Sequence, residues 1–150
     1  MTSANRQERA EGTVVSRGPA HHRGRLVVVA LGVLYLVLAA VGLATVGWHD
    51  FGYEEPVRMF GFLGVSTLLC VVHALLGVVL TTAGLRRAAT AIAPVLVVAF
   101  VAMAVFGAVA KIFGGSGDPL NFNWWNVVLY LVSAAACVYV YVTAWRGGDR

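Results

Sequence analysis

Charge is what this 150-residue chain has least of. Only 12% of its residues are Asp, Glu, Lys or Arg, and seven of them are acidic; an ordinary soluble domain carries about 25%. So little charge cannot clothe a water-facing surface, which excludes the single soluble domain that this length would otherwise suggest. Cysteine is scarce too. Cys70 and Cys137 both fall inside apolar runs, which excludes an extracellular disulfide scaffold. Two readings stay open for them: a thiol pair at similar depth on neighbouring helices, or two small buried hydrophobes. No Asp or Glu lies in any of the long apolar runs, so a proton pathway would have no carboxylate partner. The chain also shows no nucleophile with a base, no carboxylate pair and no metal-ligand spacing, and an enzyme is not expected. Nor are a cofactor or a metal.

Apolar residues are there in quantity: 59% of the chain is hydrophobic and the mean hydropathy is +0.80. They come in four blocks. Leu26 to Gly47 has 22 residues without a charge, long enough at about 1.5 Å per residue to cross a hydrocarbon core of roughly 30 Å. Its length and the extended tail before it fit a signal anchor better than a cleaved signal peptide. The second block runs over about 60–85. Gly61 and Gly64 weaken its first turns, and a helix from about Ser66 to Leu85 would span equally well, with Met59 to Val65 at the interface. Ala91 to Phe113 is the third block, with Pro94 placed in its first turn and small residues at Ala99, Ala102, Ala104, Gly107 and Ala108 for close helix approach. Lys111 at its end can snorkel to water. Trp124 to Trp145 is the fourth, with aromatic anchors at both ends.

The expected fold is an all-α membrane protein, an antiparallel bundle of four transmembrane helices over about 26–47, 60–85, 91–113 and 124–145. Residues 1–25 read as a disordered basic tail, 26–146 as the transmembrane domain and 147–150 as a short C-terminal tail. Short Gly84–Thr90 predicts that spans two and three are adjacent. The tail, that turn and the C-terminus hold nine of the eleven lysines and arginines, while the other two loops hold Arg58 and Lys111. The positive-inside bias therefore places both termini in the cytoplasm, in a plasma-membrane protein. The basic tail could meet anionic lipid headgroups, though setting orientation is the simpler account of its arginines. A basic surplus spread along membrane edges does not suggest nucleic-acid binding. His21-His22 and the loop cluster of His49, Asp50, Glu54 and Glu55 lack the spacing of a metal site.

Polar residues inside the spans fall on helical stripes. Span two presents Ser66, Cys70, His73, Gly77, Thr81 and Gly84; span four presents Asn126, Tyr130, Ser133, Cys137 and Tyr141; span one has Gly32, Tyr35, Ala39 and Gly42. Polar atoms facing lipid would go unpaired, so these faces should turn toward one another. His73 is the one histidine at membrane depth. Such a residue is by default a site candidate, but a neutral imidazole bonded to a facing hydroxyl is structurally ordinary, and a haem between helices usually takes two histidines. The structural role is favoured.

GVSTLLCVVHALLGV, followed by LNFNWWNVVLYLVSA, resembles an uncharacterised four-span membrane family of actinobacteria, domain of unknown function 4383. The family pattern is an N-x-x-H pair in span two with Gly four residues on, and a second N-x-x-H at the start of span four. Here His73, Gly77, Asn123 and Trp124 match it, while Cys70 and Asn126 depart. The resemblance covers about residues 26–146. It implies a plasma-membrane protein without assigned activity, and the departures tell against chemistry needing both histidines. Two functions remain: a non-enzymatic bundle that forms homo-oligomers or joins a larger membrane complex, or a binder of an apolar ligand, a lipid or quinone, near His73, Tyr130 and Tyr141. A channel is weaker, since little lines a polar path. The lipid bilayer is the one partner common to all.

Overall fold

The computed structural model describes residues 19–48, 57–113, 118 and 120–148. Four helices dominate it: α1 (Pro19–Val46), α2 (Thr67–Leu85), α3 (Ala89–Phe113) and α4 (Trp124–Gly148). All four are long and apolar enough to cross a membrane, and the chain is a multi-pass membrane protein. Two short antiparallel strands, β1 (Arg58–Met59) and β2 (Leu63–Gly64), form a hairpin before α2.

Helix boundaries follow local chemistry. Ser66, in extended backbone at φ −142°, caps α2 by accepting a hydrogen bond from the Leu69 amide at 3.2 Å, as an N-cap serine does. The second span therefore starts at Thr67, and the run from Met59 to Val65 is hairpin, not the opening of a helix at about residue 60. Glycines explain the choice: Gly61 sits at φ +79° in the turn, a conformation open to glycine and costly in a helix. At the other end of α2, the Ala88 amide bonds the Ala83 carbonyl and the Arg87 amide bonds that of Gly84, with Arg87 at φ +60°. This is a Schellman ending with arginine in the left-handed position where glycine is usual. α3 begins two residues before the expected start at Ala91, so Pro94 lies in its second turn and removes the bond to the Thr90 carbonyl.

α1 also begins earlier than Leu26. Residues 19–25, expected in the disordered tail, are its first turns; residues 1–18 lie outside the described residues, as do 49–56 with His49, Asp50, Glu54 and Glu55.

α1 packs along α2, α3 along α4, and α1 crosses α4. α2 and α3, expected to be close neighbours because of their short connection, meet little beyond it. Glycines account for this pairing. A β-carbon at Gly77 would lie 2.7 Å from Leu36 Cγ and 2.9 Å from the Gly32 carbonyl oxygen, and one at Gly32 would strike Thr81. Backbones that approach so closely capture α2 on α1 through small residues.

The space among the four helices is filled by rings. Tyr35 is fully buried, with its ring centroid 5.2 Å from that of His73 on α2, 5.5 Å from Phe100 on α3 and 6.1 Å from Tyr130 on α4. Phe122 continues the cluster at 5.7 Å from Tyr130. The outside is the reverse: Val, Leu, Ile and Phe project outward from every span, as a surface solvated by lipid requires. Trp48, Trp124 and Trp125 are exposed at the hairpin end, and Tyr139, Tyr141 and Trp145 toward the other, forming two interfacial belts.

Candidate functional site

Two polar couples lie within the ring cluster. His73 is 3% exposed, and a hydrogen bond of 2.9 Å joins its Nε2 to the Tyr130 hydroxyl. The Tyr35 hydroxyl and Ser133 Oγ are 2.9 Å apart, while Ser133 Oγ donates to the Leu129 carbonyl at 2.9 Å. Since serine has one hydroxyl proton, Tyr35 is the donor to Ser133. Each couple joins α4 to another helix, His73 from α2 and Tyr35 from α1. Together they set the rotation of three helices about their axes.

The sequence stripes divide around this core. Ser66, Cys70, His73, Gly77, Asn126, Tyr130, Ser133 and Cys137 are all buried. Thr81 is half-buried and its Oγ1 has no hydrogen-bond partner; it faces the close backbone approach at Gly32. Tyr141 stands apart. It is 43% exposed and does not converge with His73 and Tyr130, because it lies 11 residues, about 16 Å, along α4 from Tyr130 toward the end of the bundle. Gly32, Tyr35, Ala39 and Gly42 on α1 all face inward.

The cysteines do not pair. Both are free, and they belong to different clusters: Cys70 packs with Leu38, Met59, Leu63 and Val65, Cys137 with the ring core. α2 and α4 run in the same direction, and the His73–Tyr130 bond sets their register. Cys70 then lies one turn toward the hairpin and Cys137 two turns away from it, about 15 Å apart along the axis. The shared depth one reading required is absent.

A second polar constellation, at the hairpin end, is built from asparagines. Asn126 is fully buried; its Oδ1 accepts from the amides of Gly64 (3.0 Å) and Asn123 (3.1 Å), and its Nδ2 donates to the Gly64 carbonyl (3.0 Å). The Asn126 amide donates to Asn123 Oδ1 at 3.1 Å. Asn123 and Asn126 thus make a reciprocal capping box at the start of α4, with asparagine in both places. Asn123 Nδ2 also donates to the Phe62 carbonyl. Asn121, at φ +51°, donates through Nδ2 to the carbonyls of Val57 (2.9 Å) and Val65 (3.0 Å). Asp118 fixes the approach, its carboxylate accepting from the amides of Leu120 and Phe122. A β-carbon at Gly64 would overlap the Asn121 carbonyl oxygen, so only glycine admits this clasp.

Of the family-motif positions, His73 and Gly77 are core residues, Asn123 is the cap of α4, and Trp124 is 56% exposed at the interface. Asn121 lies outside the expected spans, and Gly64, expected in the weak first turns of span two, is in the hairpin; neither was on a polar stripe. The N-x-x-N spacing at Asn123 and Asn126, ahead of an apolar run, was the available signal.

A groove of about 280 Å³ opens between α1 and α2, lined by Leu36, Ala39, Ala40, Leu43, Trp48, Cys70, Val71 and Ala74. None of its walls is Tyr130 or Tyr141. Among the described residues, no three His, Cys, Asp or Glu side chains gather where they could hold a metal ion.

The family model described as "Domain of unknown function (DUF4383)" matches residues 25–143, and the chain belongs to that family. No curated protein and no solved structure matches it.

Proposed function

We propose that this DUF4383 member is a non-enzymatic component of the plasma membrane, a small bundle that associates with copies of itself or with a larger membrane complex. One observation carries the reading. His73, the ionisable side chain at membrane depth, is buried against Tyr35 and bonded to Tyr130, so the group best suited to chemistry is engaged in holding helices together. The face of α3 turned from the bundle, with Val95 65% and Val98 69% exposed, is an apolar surface on which a further helix can pack. Both termini lie in the cytoplasm in this reading, supported by the arginine bias between the two ends of the bundle.

Binding of an apolar ligand, a lipid or quinone, is the second reading. What favours it is the apolar groove beside Cys70 and Ala74, close along α2 to His73 but separate from the packed ring core. Purification in mild detergent, with an absorbance spectrum and mass spectrometry of what accompanies the chain, tests both. A fixed partner subunit or a discrete oligomer supports the first. A stoichiometric small molecule, lost when Ala74→Leu fills the groove, supports the second and refutes the first.

A further inference from the structure

The hairpin ends in aromatic side chains that none of the described residues covers. Phe60 is 63% exposed and Phe62 46%. Their rings lie 6.4 Å apart, and Phe62 meets Trp125 edge to face at 5.7 Å. Phe60 holds φ +54°, an outlier for a bulky side chain, in a turn closed by the Phe62 amide on the Met59 carbonyl. The backbone is strained and two large rings are turned outward at the same place.

Helix length fixes where that place is. α2 has 19 residues, about 28 Å at 1.5 Å per residue, so its whole length is needed to cross a hydrocarbon core of roughly 30 Å. Its cap, Ser66, therefore lies at the hydrocarbon boundary. Thr67 Oγ1 donates to the Gly47 carbonyl at 2.9 Å, bringing the end of α1 to the same level. The hairpin rises from Ser66 by only three residues before its turn, about 10 Å even if fully extended, and its Asn126 clasp holds it against the first turn of α4. The headgroup layer is about 5–8 Å deep on each side. Drawn against the first turn of α4, the tip stays within or a few ångströms above that layer.

A segment that enters lipid must bring its backbone partners with it, because hydrocarbon supplies none. This hairpin does. The carbonyls of Val57, Phe62, Gly64 and Val65 and the amide of Gly64 are bonded to the side chains of Asn121, Asn123 and Asn126. These bonds satisfy the strands and base of the hairpin from within the protein.

We infer that the hairpin tip is a lipid-binding wedge: Phe60 and Phe62, backed by Trp125, insert into the headgroup–acyl boundary of the leaflet at that end of the bundle, while the asparagine clasp keeps the backbone satisfied. Arg58, exposed at the base of β1, lies where a cation meets lipid phosphate. The wedge anchors the chain between spans one and two and sets the level of the bundle in the bilayer.

The test uses the full chain in phosphatidylcholine vesicles. Phe60→Cys carries a nitroxide; Cys70 and Cys137 are buried and leave the new thiol as the reactive one. Collision with oxygen, which concentrates in lipid, is compared with collision with a water-soluble nickel chelate. Val98→Cys, on the lipid face of α3, is the deep control, and a free water-soluble nitroxide the aqueous one. The wedge predicts an oxygen-to-nickel ratio several-fold above the aqueous control and below Val98. A ratio equal to the aqueous control overturns it. So does a label reached by neither reagent, with dipolar broadening that vanishes on dilution into unlabelled chain, which would mean that a second copy covers the tip. Phe62→Cys repeats the measurement should Phe60→Cys fail to insert, and a failed Val98 control would instead indict the spans themselves.

Discussion

Replacing Asn126 with alanine removes one side chain and strands three backbone groups. The Gly64 amide and carbonyl lose their partner, and so does the Asn123 amide. Asn123 is half-buried, so water can replace its bond at small cost. Gly64 is buried under the Asn121 carbonyl, and its two groups have no such recourse. An unsatisfied buried donor or acceptor costs about 1–3 kcal/mol, so the pair predicts a loss of about 2–6 kcal/mol, concentrated in the hairpin and the first turn of α4. Asn126→His separates the hydrogen bonds from mere bulk. Imidazole accepts at one ring nitrogen and donates at the other, so it can keep one of the two Gly64 bonds. That variant should lose less than alanine does. Equilibrium unfolding in mixed micelles with rising SDS gives the free energies, and hydrogen exchange at Gly64 and Val65 locates the damage. A loss under about 1 kcal/mol with both amides still protected, or histidine no better than alanine, would refute the clasp as a stabilising element.

Three further outcomes follow from the core. Gly77→Val forces branched carbons against Leu36 and the Gly32 carbonyl and should separate α1 from α2, costing upward of about 2 kcal/mol; the same unfolding titration reads it, and an unchanged midpoint would contradict the glycine crossing. His73→Leu removes the bond to Tyr130 and should cost only about 0.6–2 kcal/mol, the range for interhelical bonds in bilayers, with the oligomeric state preserved in detergent chromatography. Tyr35→Phe leaves Ser133 bonded to the Leu129 carbonyl and should cost about 1 kcal/mol, less than Tyr35→Ala, which also empties the ring cluster.

Span number and composition were legible in the sequence because lipid imposes them: a helix that must bury no charge over about 20 residues announces itself. So was the inward face of spans one, two and four, since the period of Ser66, Cys70, His73 and Gly77 is helical and hydrocarbon leaves polar atoms nowhere else to go; on α3 the small residues did not mark it, and Ala102 is exposed. Tyr141 escaped that rule because its place near the end of α4 lets a hydroxyl reach the interface while the ring stays in lipid. Which helix packs on which was not legible. A short connection constrains only the ends of α2 and α3, whereas pairing is decided by how closely backbones approach along their length, and that depends on Gly32 and Gly77 meeting across two helices. Nor was the hairpin: Met59 to Val65 is apolar enough for a span, and its departure from helix rests on Gly61, on Gly64 and on partners 56 or more residues away at Asn121, Asn123 and Asn126.

Those partners also change what the second half of the family pattern means in this chain. His73 and Asn126 occupy related places in the two motifs, yet they answer different needs. His73 bonds a side chain, Tyr130, and fixes helix rotation inside the bundle. Asn126 bonds backbone and fixes the hairpin through the Gly64 amide and carbonyl. A carboxamide offers a donor and an acceptor without any charge state to regulate, which suits a permanent clasp better than an ionisable ring would. One position holds helices together and the other holds a hairpin. Among the described residues, the aromatic tip, the apolar groove and the outer face of α3 have no partner within the protein, and in this reading all three open toward the bilayer.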